Sequence, residues 1–112
     1  MNGHRREFKK KILVKRGKTR DSNIWYKIRF IRGLNTEGFE GRTYDGLCWG
    51  SPSYEIWIST GLTPEQRMHT FFHELGHAIE FEHRLKIRHK HIDVLGKALG
   101  YIIRKNRWLA GA

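Results

Sequence analysis

Residues 54–83 read YEIWISTGLTPEQRMHTFFHELGHAIEFEH: a short alternating run, a turn, and a long run with helical periodicity. Tyr54, Ile56 and Ile58 fall on one face of the first run, with Glu55, Trp57 and Ser59 on the other, as in a half-buried strand. Gly61 and Leu62 turn the chain. Thr63 then stands where an N-cap belongs, Pro64 at the first helical position and Gln66 three residues past the cap. The pattern predicts a helix over 63–84. Met68, Phe71, Phe72, Leu75, Ile79 and Glu82 recur along one stripe at helical spacing; apart from Glu82 the stripe is apolar and is expected to face the core, which leaves His73 and His77 on the opposite side.

Upstream, residues 10–16 read as a first strand around Ile12, Leu13 and Val14. Residues 24–31 read as a second, with Ile24, Tyr26, Ile28 and Phe30 on one face. The segment 17–23 is turn-rich, so these two strands can pair as a hairpin. Residues 33–46 are polar and rich in glycine and read as a loop. A short strand is expected within 47–53. Downstream, a basic link leads to a second helix over 88–106, with Ile92, Leu95, Leu99, Ile102 and Ile103 as its core stripe. Trp108 and Leu109 are expected to fold back onto the domain. The predicted class is α+β: a small, mostly antiparallel sheet followed by two packed helices. The whole of 1–112 forms one domain, with 1–8 as a basic leader and 9–60 as the sheet region.

His73-Glu74-Leu75-Gly76-His77 is an H-E-x-x-H pattern on that first helix. Two histidines four apart share a helix face and can reach one zinc ion at about 2.0–2.1 Å. Glu74, offset by one residue, is placed to take a proton from an activated water. The alternative is a solvated helix face that happens to carry two histidines. A catalytic zinc needs a third protein ligand and an open position. The start of the second helix offers His89, His91 and Asp93. His91 is the expected third ligand, while Gly96 and Gly100, spaced to admit another backbone, favour the His89 and Asp93 side. Glu80 and Glu82 are expected in supporting or solvent-facing roles. Tyr101, Arg104 and a non-ligating His91 are candidates for stabilising an oxyanion. His69 and Cys48 are not obvious fourth ligands. An extended substrate is expected to pair along the strand at 54–60.

The chain has 112 residues, four Trp, four Tyr, six Phe and a net charge of +11. Such aromatic content argues for a packed core rather than a disordered segment. A single cysteine, Cys48, excludes an internal disulfide and points to a reducing, cytoplasmic setting. No run is long and apolar enough to suggest a signal peptide or membrane span. Residues 1–32 hold twelve Lys/Arg and two acids, a net +10, whereas residues 33–112 hold ten and nine, a net +1. This basic third implies a nucleic acid, an acidic protein partner, or solubility alone. Trp25, Tyr26 and Phe30, interleaved with Lys27, Arg29 and Arg32, suit stacking on bases.

The strand YEIWIST, the helix segment FFHELGHAIE and the following HIDVLGKALGYIIRKN together resemble a minimal zincin of the kind that phage and bacterial genomes encode. The layout is similar to SprT-like and ImmA/IrrE-like metallopeptidases over the second half of the chain. That resemblance implies a zinc-dependent peptidase with His73 and His77 as ligands and Glu74 as general base. SprT-like proteins take a third histidine from the start of the next helix, and His91 fits that position. ImmA/IrrE-like proteins use a downstream acid. The chain departs from the SprT-like pattern in having no glycine after His91 and no C-terminal zinc ribbon. The implied function is peptide-bond hydrolysis in a protein substrate, for instance by a phage-encoded regulator or host-defence antagonist in the host cytoplasm. The rival is a small basic nucleic-acid-binding or protein-binding inhibitor in which the zinc is a structural clip.

Overall fold

The computed structural model describes residues 10–15 and 23–111. The leader expected over 1–8 and most of the turn expected over 17–23 lie outside these residues. The elements run β1 (Lys10–Lys15), β2 (Asn23–Ile31), β3 (Gly46–Trp49), β4 (Glu55–Ser59), α1 (Pro64–His83), α2 (His89–Lys105) and a final 3₁₀ turn (Arg107–Gly111). The chain is therefore α+β, with strands and helices close to the segments that periodicity marks out.

The four strands form one sheet in the order β1-β2-β4-β3. β1 pairs antiparallel with β2, and β3 antiparallel with β4, while β2 and β4 run parallel. β4 takes an interior position, and its Ile56 and Ile58 are fully buried. That is where an apolar strand gains most from being covered on one face and paired along both edges. Val14, Tyr26, Ile28, Ile56 and Ile58 point from the sheet to one side, where they meet Leu62 and Ala78 in the core. The loop expected over 33–46 is ordered and anchored. Leu34 is buried, and the Ser59 hydroxyl donates to Asn35 Oδ1 at 2.8 Å.

α1 lies across the inner face of the sheet. Its start is capped reciprocally: Gln66 N–H donates to Thr63 Oγ1 at 3.2 Å and Thr63 N–H to Gln66 Oε1 at 3.0 Å. It ends at Arg84, which adopts the left-handed conformation (φ 55°). The buried face differs from the expected stripe. Thr70, Glu74, Ala78 and Glu82 are buried, Phe71 and Leu75 pack at the margin, and Ile79 is exposed. The Tyr26 hydroxyl donates to Glu82 Oε2 at 2.6 Å, which satisfies this deeply placed carboxylate.

α2 packs on α1 rather than on the sheet. Its buried residues are Ile92, Gly96 and Gly100. A Cβ at Gly96 would lie 2.9 Å from the His73 backbone nitrogen, and one at Gly100 would lie 3.4 Å from that of His69. The two backbones thus meet through glycine. This contact sets the rotation of α2 and corrects the expected core stripe: Leu95 (52%), Leu99 (43%) and Ile102 (44%) are left exposed. Trp108, expected to fold back, is 70% exposed.

Candidate metal centre

The rotation of α2 decides which of its residues meet the H-E-x-x-H helix. Positions 89, 93, 96 and 100 are spaced by four, three and four, so they share the face turned to α1. His91 is about 200° around the helix from His89 and is exposed. One ring nitrogen from each of His73, His77 and His89 lies within 4.8 Å of the others. His73 Nε2 and His89 Nε2 face each other at 3.1 Å. Two ligands of a tetrahedral zinc at about 2.05 Å sit roughly 3.3 Å apart, so this pair already has the spacing of a shared metal. His73, Glu74 and His77 stand together as the motif places them. The third imidazole of the cluster is His89, in place of the expected His91.

Carboxylates stand behind two of the three rings. Asp93 Oδ1 lies 3.3 Å from His73 Nδ1, and Glu80 Oε1 lies 3.2 Å from His77 Nδ1. A proton on each Nδ1 is then held by a carboxylate, and each Nε2 keeps a bare lone pair for a metal. The Asp93 Oδ1 also contacts His69 Nε2 at 3.1 Å, and its Oδ2 contacts Lys97 Nζ at 3.3 Å. Burial works to raise the Asp93 pKa, but the hydrogen bonds from His69 and Lys97 outweigh it and hold the carboxyl below its ordinary value. Glu80 also accepts the Ile87 N–H at 2.7 Å, which ties the link between the helices to the His77 side of the site. His69, His73 and Asp93 form a second group of potential ligands around the same carboxylate.

Desolvation, aided by the neighbouring His77 and His89, lowers the pKa of His73 against the opposing pull of Asp93. The ring is therefore neutral near pH 7, which metal binding requires. Glu74 is buried one residue along, and burial raises its pKa from 4.5 to about 7. A cation beside it would favour the ionised form, since an opposite charge at close range offsets desolvation. The three imidazoles therefore suit a zinc ion in both chemistry and spacing.

The cluster opens onto a cleft of about 460 Å³, walled by β3 and the residues before it on one side and by His89 and Asp93 on the other. Gly46 allows this close approach: a Cβ there would lie 2.5 Å from Thr70 Cγ2 and 3.0 Å from Glu74 Cγ. Cys48 lines the same cleft, but burial, with added repulsion from Glu74 and Glu82, pushes its thiol pKa well up. Its sulfur does not belong to the groups of ligand atoms that lie within 4.8 Å of one another. Tyr101 and Arg104, expected near the reacting centre, line a different pocket with Glu65 and Lys97. The strand expected to receive substrate, β4, is paired on both sides by β2 and β3 and has no edge to offer. The edge beside the cleft is β3. The spacing of Gly96 and Gly100 was the signal for the His89 side, whereas nothing in the order of residues marked β3 as the edge.

Searches against protein-family models, curated proteins and solved structures find no match to this chain. Among the described residues no helix is long and apolar enough to cross a membrane.

Proposed function

We propose that this protein is a zinc-dependent metallopeptidase. The observation that carries the reading is the convergence of His73, His77 and His89 beside the buried Glu74, at the mouth of a cleft bordered by a strand edge. Among the described residues the cluster comprises three imidazoles, which leaves a position for water and substrate. When bound, zinc supplies Lewis acidity, bringing the pKa of a water towards neutrality and polarising a scissile carbonyl. Glu74 takes the proton from the attacking water and returns it to the leaving amine. Asp93 and Glu80 hold the rings of His73 and His77 in the ligating tautomer. An extended peptide adds to the outer edge of β3, where main-chain hydrogen bonds align it across the cleft. The likeness to SprT-like and ImmA/IrrE-like metallopeptidases supports the same chemistry, as does its implication of a regulatory role against a protein target.

A structural zinc clip would need a fourth protein ligand. Among the described residues no fourth ligand atom lies within 4.8 Å of all three imidazole nitrogens, which argues against it. The test is Glu74→Gln, assayed for cleavage of a casein or mixed-peptide substrate with zinc content measured in parallel. The expected outcome is unchanged zinc with hydrolysis reduced by at least ~10²–10⁴-fold. Hydrolysis that survives in the variant, or a zinc-loaded parent with no peptidase activity on any peptide library, contradicts the proposal.

A further inference from the structure

The sheet has a second face, turned away from α1, and its composition differs sharply from the inner one. The strand registers bring Lys11 beside Lys27, Leu13 beside Trp25, and Arg29 beside Trp57 on this outer side. Neither α1 nor α2 covers it, because α1 packs on the inner face and α2 packs on α1. Trp25 is 49% exposed on the part of β2 that pairs with the edge strand β1 alone, while Phe39 of the 33–46 segment packs edge-on against Trp57, ring centroids 5.3 Å apart. The Lys11 ammonium lies 4.9 Å from the Trp25 ring centroid, and the Arg29 guanidinium lies 5.7 Å from that of Trp57. Aromatic planes and cations thus alternate across neighbouring strands. Of the two aromatics expected beside Trp25, Tyr26 and Phe30, both turn to the inner side of β2, with Tyr26 fully buried.

We infer that this outer face is a binding platform for single-stranded nucleic acid. Unpaired bases stack on exposed aromatic rings, and the phosphates between them take up lysine and arginine. The face offers both groups a few ångströms apart. Among the described residues of these strands its carboxylate is Glu55, which is engaged by the Trp57 indole N–H at 2.7 Å and by Arg29 at 3.5 Å, so it does not set a free negative charge against a backbone. Charge complementarity favours the same occupant, since residues 1–32, which include β1 and β2, carry a net +10. A duplex hides the base faces that Trp25 would use, and an acidic polypeptide would use the cations but leave the indole idle. The platform lies on the far side of the sheet from the metal cluster, and the inference stands independently of the peptidase reading.

The experiment is fluorescence anisotropy of a labelled oligothymidylate of about 15 nucleotides, titrated with the whole protein at roughly 50 and 200 mM salt. The expected result is binding at the lower salt that weakens at the higher, with loss of affinity of about tenfold or more in Trp25→Ala and near-parental affinity in Trp25→Phe. Replacing Lys11 and Lys27 together by Ala should flatten the salt slope by roughly 0.7 for each phosphate that is no longer neutralised. An unchanged far-ultraviolet circular dichroism spectrum in every variant verifies that the fold is intact. No binding by the parent at low salt overturns the inference. So does equal affinity for the matching duplex. Full displacement by poly-glutamate with no effect of Trp25→Ala overturns it in favour of an acidic protein partner.

Discussion

The two helices reach the histidine cluster by opposite routes. α1 buries Thr70, Glu74, Ala78 and Glu82 against the sheet and presents its histidines on the next face round. α2 buries Ile92 and two glycines and leaves Val94, Leu95, Leu99 and Ile102 exposed. An apolar stripe normally decides which way a helix turns. In α2 the decision falls to backbone proximity, with Gly96 against His73 and Gly100 against His69. The helix that carries the H-E-x-x-H pattern has buried carboxylates, and the helix that brings His89 to it meets it through residues without side chains.

The largest expected effect concerns the buried carboxylate of α1. The Glu74 pKa stands at about 7 in the fold against an ordinary 4.5. The contribution of Glu74 to the stability of the metal-free protein is therefore full below about pH 4.5 and is lost as pH rises towards 7, because the folded state then gives up a proton it holds more tightly than the unfolded chain does. Glu74→Gln removes that dependence. Above pH 7 the metal-free variant should be more stable than the parent by about 3 kcal/mol. Urea unfolding in EDTA at pH 5 and pH 8 measures it, and identical pH slopes for the two proteins would show that the carboxylate is better solvated than its position implies.

Next in size is the glycine contact of α2. Gly96→Ala places a methyl 2.9 Å from a backbone nitrogen that cannot swing aside. Overpacking of this kind costs about 1–3 kcal/mol, and the better helix propensity of Ala recovers at most ~1. The variant should unfold at lower urea and bind zinc more weakly, because His89 moves away with its helix. Retained stability together with parental zinc affinity would place the helices farther apart than described.

Asp93→Asn and Glu80→Gln test the carboxylates behind the rings. Each should weaken zinc binding by about 10–100-fold with little change in the fold, read by competition with a chelating dye. Equal affinity in parent and variants would mean that the imidazoles orient themselves. The smallest effect belongs to the exposed stripe. Leu95→Ser should change stability by no more than about 0.5 kcal/mol, as at other surface positions. A drop of several kcal/mol would restore Leu95 to the core and undo the contrast between the helices.

Much of this molecule is legible in the sequence. Alternation in β2 and β4 and the Thr63–Gln66 capping pair place these elements almost as observed, since all of these are local signals. The pair His73 and His77 with Glu74 is equally local, fixed by one turn of helix. What sequence periodicity misread was relational. The apolar residues Leu95, Leu99 and Ile102 outweighed Gly96 and Gly100 in the reading of α2, and that error carried His91 into the site ahead of His89. The burial of Glu74 and Glu82, and the interior place of β4 with β3 at the edge, depend on which strand pairs with which. No window of residues contains that information.

Everything proposed for the site rests on one zinc held by His73, His77 and His89. The decisive measurement is the zinc stoichiometry of His89→Ala and His91→Ala, determined by elemental analysis beside the parent. Parent and His91→Ala are expected to hold about one zinc per chain, and His89→Ala to lose stoichiometric binding. Loss of zinc in His91→Ala with retention in His89→Ala would contradict this ligand set.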